Sequence, residues 1–235
     1  MNGTQNLGAT AADANGENFT TTFTGGTIAE LNSFKASYPG VKWRVEDGAG
    51  LTIKSFLGGT SALPYEALEI DNGTVTVNNK VEPDNTDNGT LFRLMGARSA
   101  LSVQYFSTKK GASTNVVEFV IPSGGYNAVP VQTTHNTYVL GSDTTKAPMT
   151  FRVSKDSPGL KSIGSRGIQL LYSKGGINAA NVRFEGPKKG VFFFKDADGN
   201  EYADAATIEA AGKTAAEITQ IWYRSPDKPF VIILR

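Results

Sequence analysis

No cysteine occurs among the 235 residues. Disulfide staples, thiolate metal sites and a thiol nucleophile are therefore excluded. Histidine is nearly absent too. His135 stands alone in the polar stretch Thr133-Thr134-His135-Asn136-Thr137, and no Gly-x-Ser-x-Gly elbow presents a serine for it to activate, so it reads as a surface residue rather than a catalytic base. An excess of one charge is also missing, with 23 Lys and Arg against 22 Asp and Glu and a formal net charge of +1. Nucleic-acid binders carry a basic excess or stripe, so nucleic-acid recognition is not expected. The pairs Lys109-Lys110 and Lys188-Lys189 sit beside Gly or Pro and read as solvated loop ends. No run approaches the ~18 apolar residues of a membrane span. Residues 1–17 carry neither a basic nor an apolar segment, so no signal peptide is expected there.

What is present is Gly, Asn, Thr and short β-branched runs. Apolar residues make up 39% of the chain, enough for the core of one domain of this length. Val41-Lys42-Trp43-Arg44-Val45 alternates apolar and polar residues as a half-buried strand does, and Asp47-Gly48 turns the chain into a second strand over 51–56. Strands over 67–71 and 74–77 flank Asn72-Gly73, a pair that tolerates the positive φ of a type I′ turn, so a hairpin is expected. Further strands are expected over 91–95, 101–106, 116–121, 138–140, 149–153, 168–172, 182–184 and 191–194. The run Phe230-Val231-Ile232-Ile233-Leu234 has no polar alternation and reads as a strand buried on both faces. Pro122 to Gln132 forms a long connection.

Two helices are expected. Thr27 and Glu30 form a capping-box pattern ahead of Ile28, Leu31, Phe34 and Tyr38, and Pro39-Gly40 follows as a stop. Near the other terminus, 205–211 is helix-prone, and Thr214 with Glu217 repeats the box before Ile218, Ile221 and Trp222. Residues 1–18 hold one large apolar side chain, Leu7, and cannot order themselves. They are expected to form an arm that lies across a neighbouring subunit. No repeat long enough to indicate a solenoid is evident, since the Gly-Gly-Thr triplets at 25–27 and 58–60 are too short. The expected architecture is mainly β: an arm over 1–18 and a single domain over 19–235, a β-sandwich of jelly-roll or tail-tube type with two short helices.

Few motifs carry chemistry. Asp196, Asp198 and Asn200 place oxygen ligands at alternate positions, with Asp204 further on, like the first half of a calcium loop. Glu201 and Thr207 then stand where an EF-hand needs Gly and Glu, so ordinary turn chemistry competes with a calcium site. Gly212-Lys213-Thr214 matches the end of a P-loop, but position 207 is Thr where that motif needs Gly. Glu66, Glu69 and Glu118 are candidates for a hydrolytic carboxylate pair, and Glu69 and Glu118 equally fit the outward face of alternating strands. Asn-x-Thr sequons at Asn2, Asn18, Asn72 and Asn88 matter only on a eukaryotic secretory route. Trp43, Trp222, Tyr126 and Tyr223 are candidates for a carbohydrate platform. The two tryptophans are expected in the core and Tyr126 at the surface.

With no catalytic constellation and no expected cofactor beyond calcium, the chain reads as a non-enzymatic assembly protein. A bacteriophage virion component is the leading expectation, a tail-tube, capsid or decoration subunit whose partners are copies of itself and other virion proteins. Sheet edges and a polar arm suit such assembly. A secreted or cell-surface bacterial module, glycan-binding or adhesin-like, is the alternative.

Overall fold

The computed structural model describes residues 19–25, 28–36, 41–59, 65–82, 90–107, 115–145 and 147–225. The expected arm, the Phe230–Leu234 run, Asn2, Asn18, Asn88 and the Lys109-Lys110 pair lie outside them. The chain is mainly β. Its first eight strands are β1 (Phe19–Phe23), β2 (Ile28–Ala36), β3 (Val41–Glu46), β4 (Gly50–Gly59), β5 (Tyr65–Asp71), β6 (Thr74–Glu82), β7 (Thr90–Met95) and β8 (Ala100–Phe106). β9 (Val116–Val120), β10 (Val131–Thr133), β11 (Met149–Val153), β12 (Ile168–Ser173), β13 (Val182–Glu185), β14 (Val191–Asp196) and β15 (Glu201–Tyr202) follow, then helix α1 (Ala205–Ala210) and β16 (Ile218–Arg224).

Odd-numbered strands β1 to β13 form a seven-stranded sheet, sheet A, and β2 to β12 enter a nine-stranded sheet, sheet B. Every pair in sheet A is parallel, and so is every pair from β2 to β12 in sheet B. Each turn of chain thus lays one strand in each sheet, and the next turn stacks upon it in register. This is a two-sheet parallel solenoid. Trp43, Leu68, Phe92 and Val117 are successive register partners, so a turn takes 24 or 25 residues here. It lengthens to 34 residues from Val117 to Phe151 and to 33 from Phe151 to Phe184.

The core is a set of columns. Trp43, Leu68, Phe92, Val117 and Phe151 stack on the inner face of sheet A, beside Val45, Ile70, Leu94, Phe119 and Val153. Leu51, Val75, Leu101, Val131 and Leu171 answer them from sheet B, beside Ile53, Val77 and Val103. Further along that second column the apolar residues give way to Thr133 and Ser173. Their hydroxyls satisfy one another: Thr133 Oγ1 donates to Ser173 Oγ (2.8 Å), which donates to the Gly176 carbonyl (2.7 Å).

Two-layer packing agrees with the sandwich expectation, but the connectivity corrects it. Jelly rolls are antiparallel, whereas these sheets are built by parallel coiling, and the coil is a repeat the sequence reading missed. Asn72-Gly73 is not a hairpin turn, because β5 and β6 lie in different sheets. Asn72 does take positive φ (59°), as does Asp47 (53°) one turn earlier, but both serve as corners that fold the chain from one sheet to the other. Successive corners bond to each other: Gly48 N–H donates to Asn72 O (2.9 Å), and Arg98 N–H donates to Asn72 Oδ1 (3.2 Å). Gly96 must be glycine, since a Cβ there would meet the Asn72 side chain at 2.5 Å.

The helix expected after Thr27 is strand β2, paired in parallel with β4. The helix expected over 205–211 is found as α1, capped by Asp204, whose Oδ1 accepts from Thr207 N–H (2.9 Å). The helix expected after Thr214 is not found: Thr214 N–H and hydroxyl both donate to the Glu217 carboxylate, which closes half of a capping box, but the segment is one turn that leads into strand β16. Residues 138–140 make only an isolated bridge, Leu140 to Ile177. Beyond β12 the parallel stacking ends, and β16, β14 and β15 add to sheet B antiparallel to their neighbours. α1 lies at this end with Ile208 buried against the core.

Phe151 lies mid-column and is fully buried. Phe151→Ala is expected to cost about 3–5 kcal/mol by leaving a cavity between two turns. Asp204→Ala is expected to cost about 1 kcal/mol through loss of the cap. Urea unfolding of both variants checks the order.

Candidate functional site

The outer face of sheet A carries a charge ladder. The register partners Arg44, Glu69, Arg93, Glu118, Arg152 and Glu185 come from six consecutive strands and alternate in sign. Arg44 Nη1 bonds Glu69 Oε1 at 2.9 Å, Arg93 Nε bonds Glu118 Oε2 at 2.6 Å, and Arg152 Nη2 bonds Glu185 Oε2 at 2.6 Å. Arg44 also reaches Glu46 and Asp71. Glu69 and Glu118 are 4% and 7% exposed, buried between flanking arginines although they face outward. The expectation that these two sit on outward strand faces agrees with this register. They lie two strands apart with the Arg93 guanidinium between, an arrangement for cross-strand pairing rather than for activating water. The Glu66 side chain lies outside the described residues.

Asp196 is the second concentration of polar chemistry. Its carboxylate accepts from Asp198 N–H (3.0 Å), Asn200 N–H (2.9 Å), Asn200 Nδ2 (2.8 Å) and Tyr202 Oη (2.9 Å), with Lys213 Nζ at 3.4 Å. The Asn200 hydrogen bond, then Tyr202 and Lys213, hold it well below the usual carboxylate range against the effect of burial. The sequence-predicted ligands Asp196 and Asn200 do come together here. They meet as acceptor and donor, and the lone pairs a cation would need are occupied by N–H and O–H groups. The Asp198 backbone joins the same turn, and its side chain is exposed. Among the described residues no three His, Cys, Asp or Glu side chains are grouped to hold a metal ion.

The remaining candidates are dispersed. His135 Nδ1 accepts from Tyr138 N–H (3.1 Å) and Thr137 N–H (3.3 Å), and its ring meets Tyr105 edge-on at 5.8 Å. It organises its own loop. A shallow recess beyond it is lined by Tyr138, Leu140, Asp143 and Met149 among others, and Asp143 Oδ1 accepts from Thr145. Gly212-Lys213-Thr214 lies in the turn after α1, and Lys213 bonds Asp196 and Glu217 rather than cradling a phosphate. Tyr126, expected at the surface, is tucked under a corner. Its hydroxyl donates to Leu94 O (3.0 Å), and burial, with the Glu118 charge, pushes the phenol up.

Trp43 is buried as expected, Tyr223 is buried and so offers no platform, and Trp222 corrects its expectation. It stands on the outer face of sheet B, partly exposed, beside Phe193 (6.2 Å between centroids). Lys195 Nζ sits 4.3 Å from the Trp222 ring centre and Arg224 lies over Phe193 at 4.5 Å. Both cations bond Glu201, at 3.2 and 2.8 Å. Phe192, Phe193 and Phe194 alternate across β14, which is the signal that places Phe193 outward.

No family model, no curated protein and no solved structure matches the chain.

Glu118 and Glu185 occupy equivalent ladder positions with side-chain exposures of 9% and 47%. Glu118→Ala removes the buried carboxylate that Arg93 bonds and is expected to cost about 1–3 kcal/mol. Glu185→Ala is expected to cost below about 1 kcal/mol. Chemical denaturation that ranks them in the opposite order would contradict the ladder's role. For Asp196 the sign follows from the lowered pKa. Its contribution is fully present above the ordinary Asp value of about 3.9 and is lost as pH falls below it. Asp196→Asn should therefore lower the melting temperature at neutral pH, and the gap from the parent should narrow in acid.

Proposed function

We propose that this is a non-enzymatic structural protein that works by assembly, and specifically a bacteriophage virion component of tail, capsid or decoration type. The observation that carries the reading is the stacking itself. One strand–corner–strand unit is used over and over, its outward polar groups are spent on each other, and two parallel edges, β1 and β2, stand side by side at the amino-terminal end. Among the described residues nothing pairs with the outer side of either edge. Such edges are templates for another chain. Among the described residues, Glu69, Glu118, Asp196 and His135 are each engaged in holding a strand or a turn.

A second reading, a cell-surface glycan-binding module, draws on Trp222. Its partly exposed ring, flanked by Gln169 on the neighbouring strand β12 and by Gln220 on its own strand, offers a flat apolar face with amide groups beside it.

Sedimentation velocity and negative-stain microscopy over a concentration series test the first reading. Rings, tubes or filaments are expected, and a monomer at every concentration overturns it. Deleting residues 2–17 is expected to leave the melting temperature nearly unchanged while weakening the oligomer, because that segment has little apolar surface to contribute. For the second reading, Trp222→Ala should abolish binding in a glycan screen without altering the oligomer.

A further inference from the structure

The near-neutral net charge conceals a segregation. Between residues 150 and 190 there are eight Lys and Arg and two Asp and Glu, whereas between 196 and 217 there are six Asp and Glu and one Lys. The topology puts two connections of the first stretch at the opposite end of the strands from the turn over 197–200, while its segment over 174–178 lies beside 211–217, Ile177 N–H donating to Ala215 O (2.8 Å). β11 and β13 are parallel neighbours, so the connections that leave them, 154–167 and 186–190, emerge at the same edge. β12 and β14 begin there as well, since Ile168 and Phe192 both face Tyr223 across β16. Lys155, Lys161 and Arg166 lie in the first connection and Lys188 and Lys189 in the second, all five exposed. None has an ion pair among the described residues.

A glycine in each connection packs against Tyr223. A Cβ on Gly167 would lie 2.8 Å from the Tyr223 carbonyl and 3.2 Å from Arg224 Cβ, and one on Gly190 would lie 1.8 Å from Tyr223 Oη. Both connections thus pass close against the same residue, Tyr223. At the far end of the six-residue strand β14 the sign reverses. The turn over 197–200 holds Asp198, and the segment over 211–217 returns the chain to Ile218, the register partner of Asp196. α1, between them in the chain, exposes Glu209.

We propose that copies of this chain associate edge to edge, the basic corner of one against the acidic flank of the next. This inference rests on the assembly reading and names its contact. The occupant is argued from charge complementarity: one edge carries five exposed cations with no ion pair among the described residues, and the opposite flank of the same molecule exposes Asp198 and Glu209. The two surfaces differ, so the contact is heterologous and propagates into a ring or a filament rather than closing as a two-fold dimer. Charge-to-charge contacts at exposed side chains steer association and are screened by salt.

The test uses the full chain and three variants: Lys155→Glu with Lys188→Glu and Lys189→Glu, Asp198→Lys with Glu209→Lys, and all five together. Every substituted side chain is exposed, and unchanged melting curves verify folding. The parent is expected to dissociate on the order of tenfold more readily as salt rises from about 0.05 M to about 0.5 M. Each single-edge reversal should remain monomeric alone, a mixture of the two should co-sediment, and the five-fold variant should assemble like the parent. An oligomer indifferent to all three variants and to salt overturns the inference and leaves the assembly reading standing. A monomer under every condition overturns both. If the basic-corner variant loses binding to heparin while self-association is untouched, the corner serves an anionic polymer and the inference also fails.

Discussion

Backbone hydrogen bonding between one turn of chain and the next is the constraint on which everything else here depends. In a parallel stack a strand has no hairpin partner beside it in sequence. Its N–H and C=O groups are satisfied only by strands a whole turn away, 24 or 25 residues in the regular part. Register must therefore be kept over a long loop of chain, and a slip of one residue would turn the inner columns outward. Several features make sense as guards against that slip. Corners are tied to one another through Asn72, Ser99 and Arg98. Inner columns alternate size from turn to turn, so Leu68 lies under Phe92 and Phe92 under Val117. On the outer face the Arg/Glu alternation matches charge only in the native register.

That outer ladder shows how a polar face can be closed without an apolar cover. Glu69 and Glu118 each lie between two arginines from adjacent strands and are nearly inaccessible, whereas Glu185, on the edge strand, has one arginine neighbour and stays exposed. The arrangement uses charge for pairing specificity between strands. It also gives residue types that often signal catalysis a structural task, pairing one strand with the next. The Asp196 turn works the same way, its oxygens filled by donors from its own loop, from Tyr202 and from Lys213.

Much of the strand content was legible, because Val41–Glu46, Ala100–Phe106 and Met149–Val153 alternate cleanly. The coil was not. Its turns share a hydrophobic pattern and a corner rather than residue identities, and Glu46-Asp47-Gly48, Asp71-Asn72-Gly73 and Met95-Gly96-Ala97 do the same work with different letters. Asn72 takes the positive φ expected of it and Gly73 does not, and a single left-handed residue serves here as a solenoid corner rather than a hairpin turn. Local signals misled where tertiary pairing outweighed them. Ile218, Ile221 and Tyr223 are buried at spacings of three and two because the ladder shifts register at Lys195/Asp196, and this broken alternation mimics helical spacing. The outward placement of Glu69 and Glu118 was readable from alternation, whereas their arginine partners, one turn away in the chain, were not.

The ladder also sets the quantum by which this molecule can change length. A stack of identical turns would tolerate loss or duplication of any one of them. Here removing the turn that carries Glu69 would bring Arg44 beside Arg93, and removing the turn that carries Arg93 would bring Glu69 beside Glu118. Like charges directly opposite on neighbouring strands are destabilising. Only excision or insertion of two turns together, the span from Arg44 to Arg93, restores the alternation. A lineage of such chains would thus be expected to grow and shrink in double steps, with sign parity acting as a ratchet on its evolution.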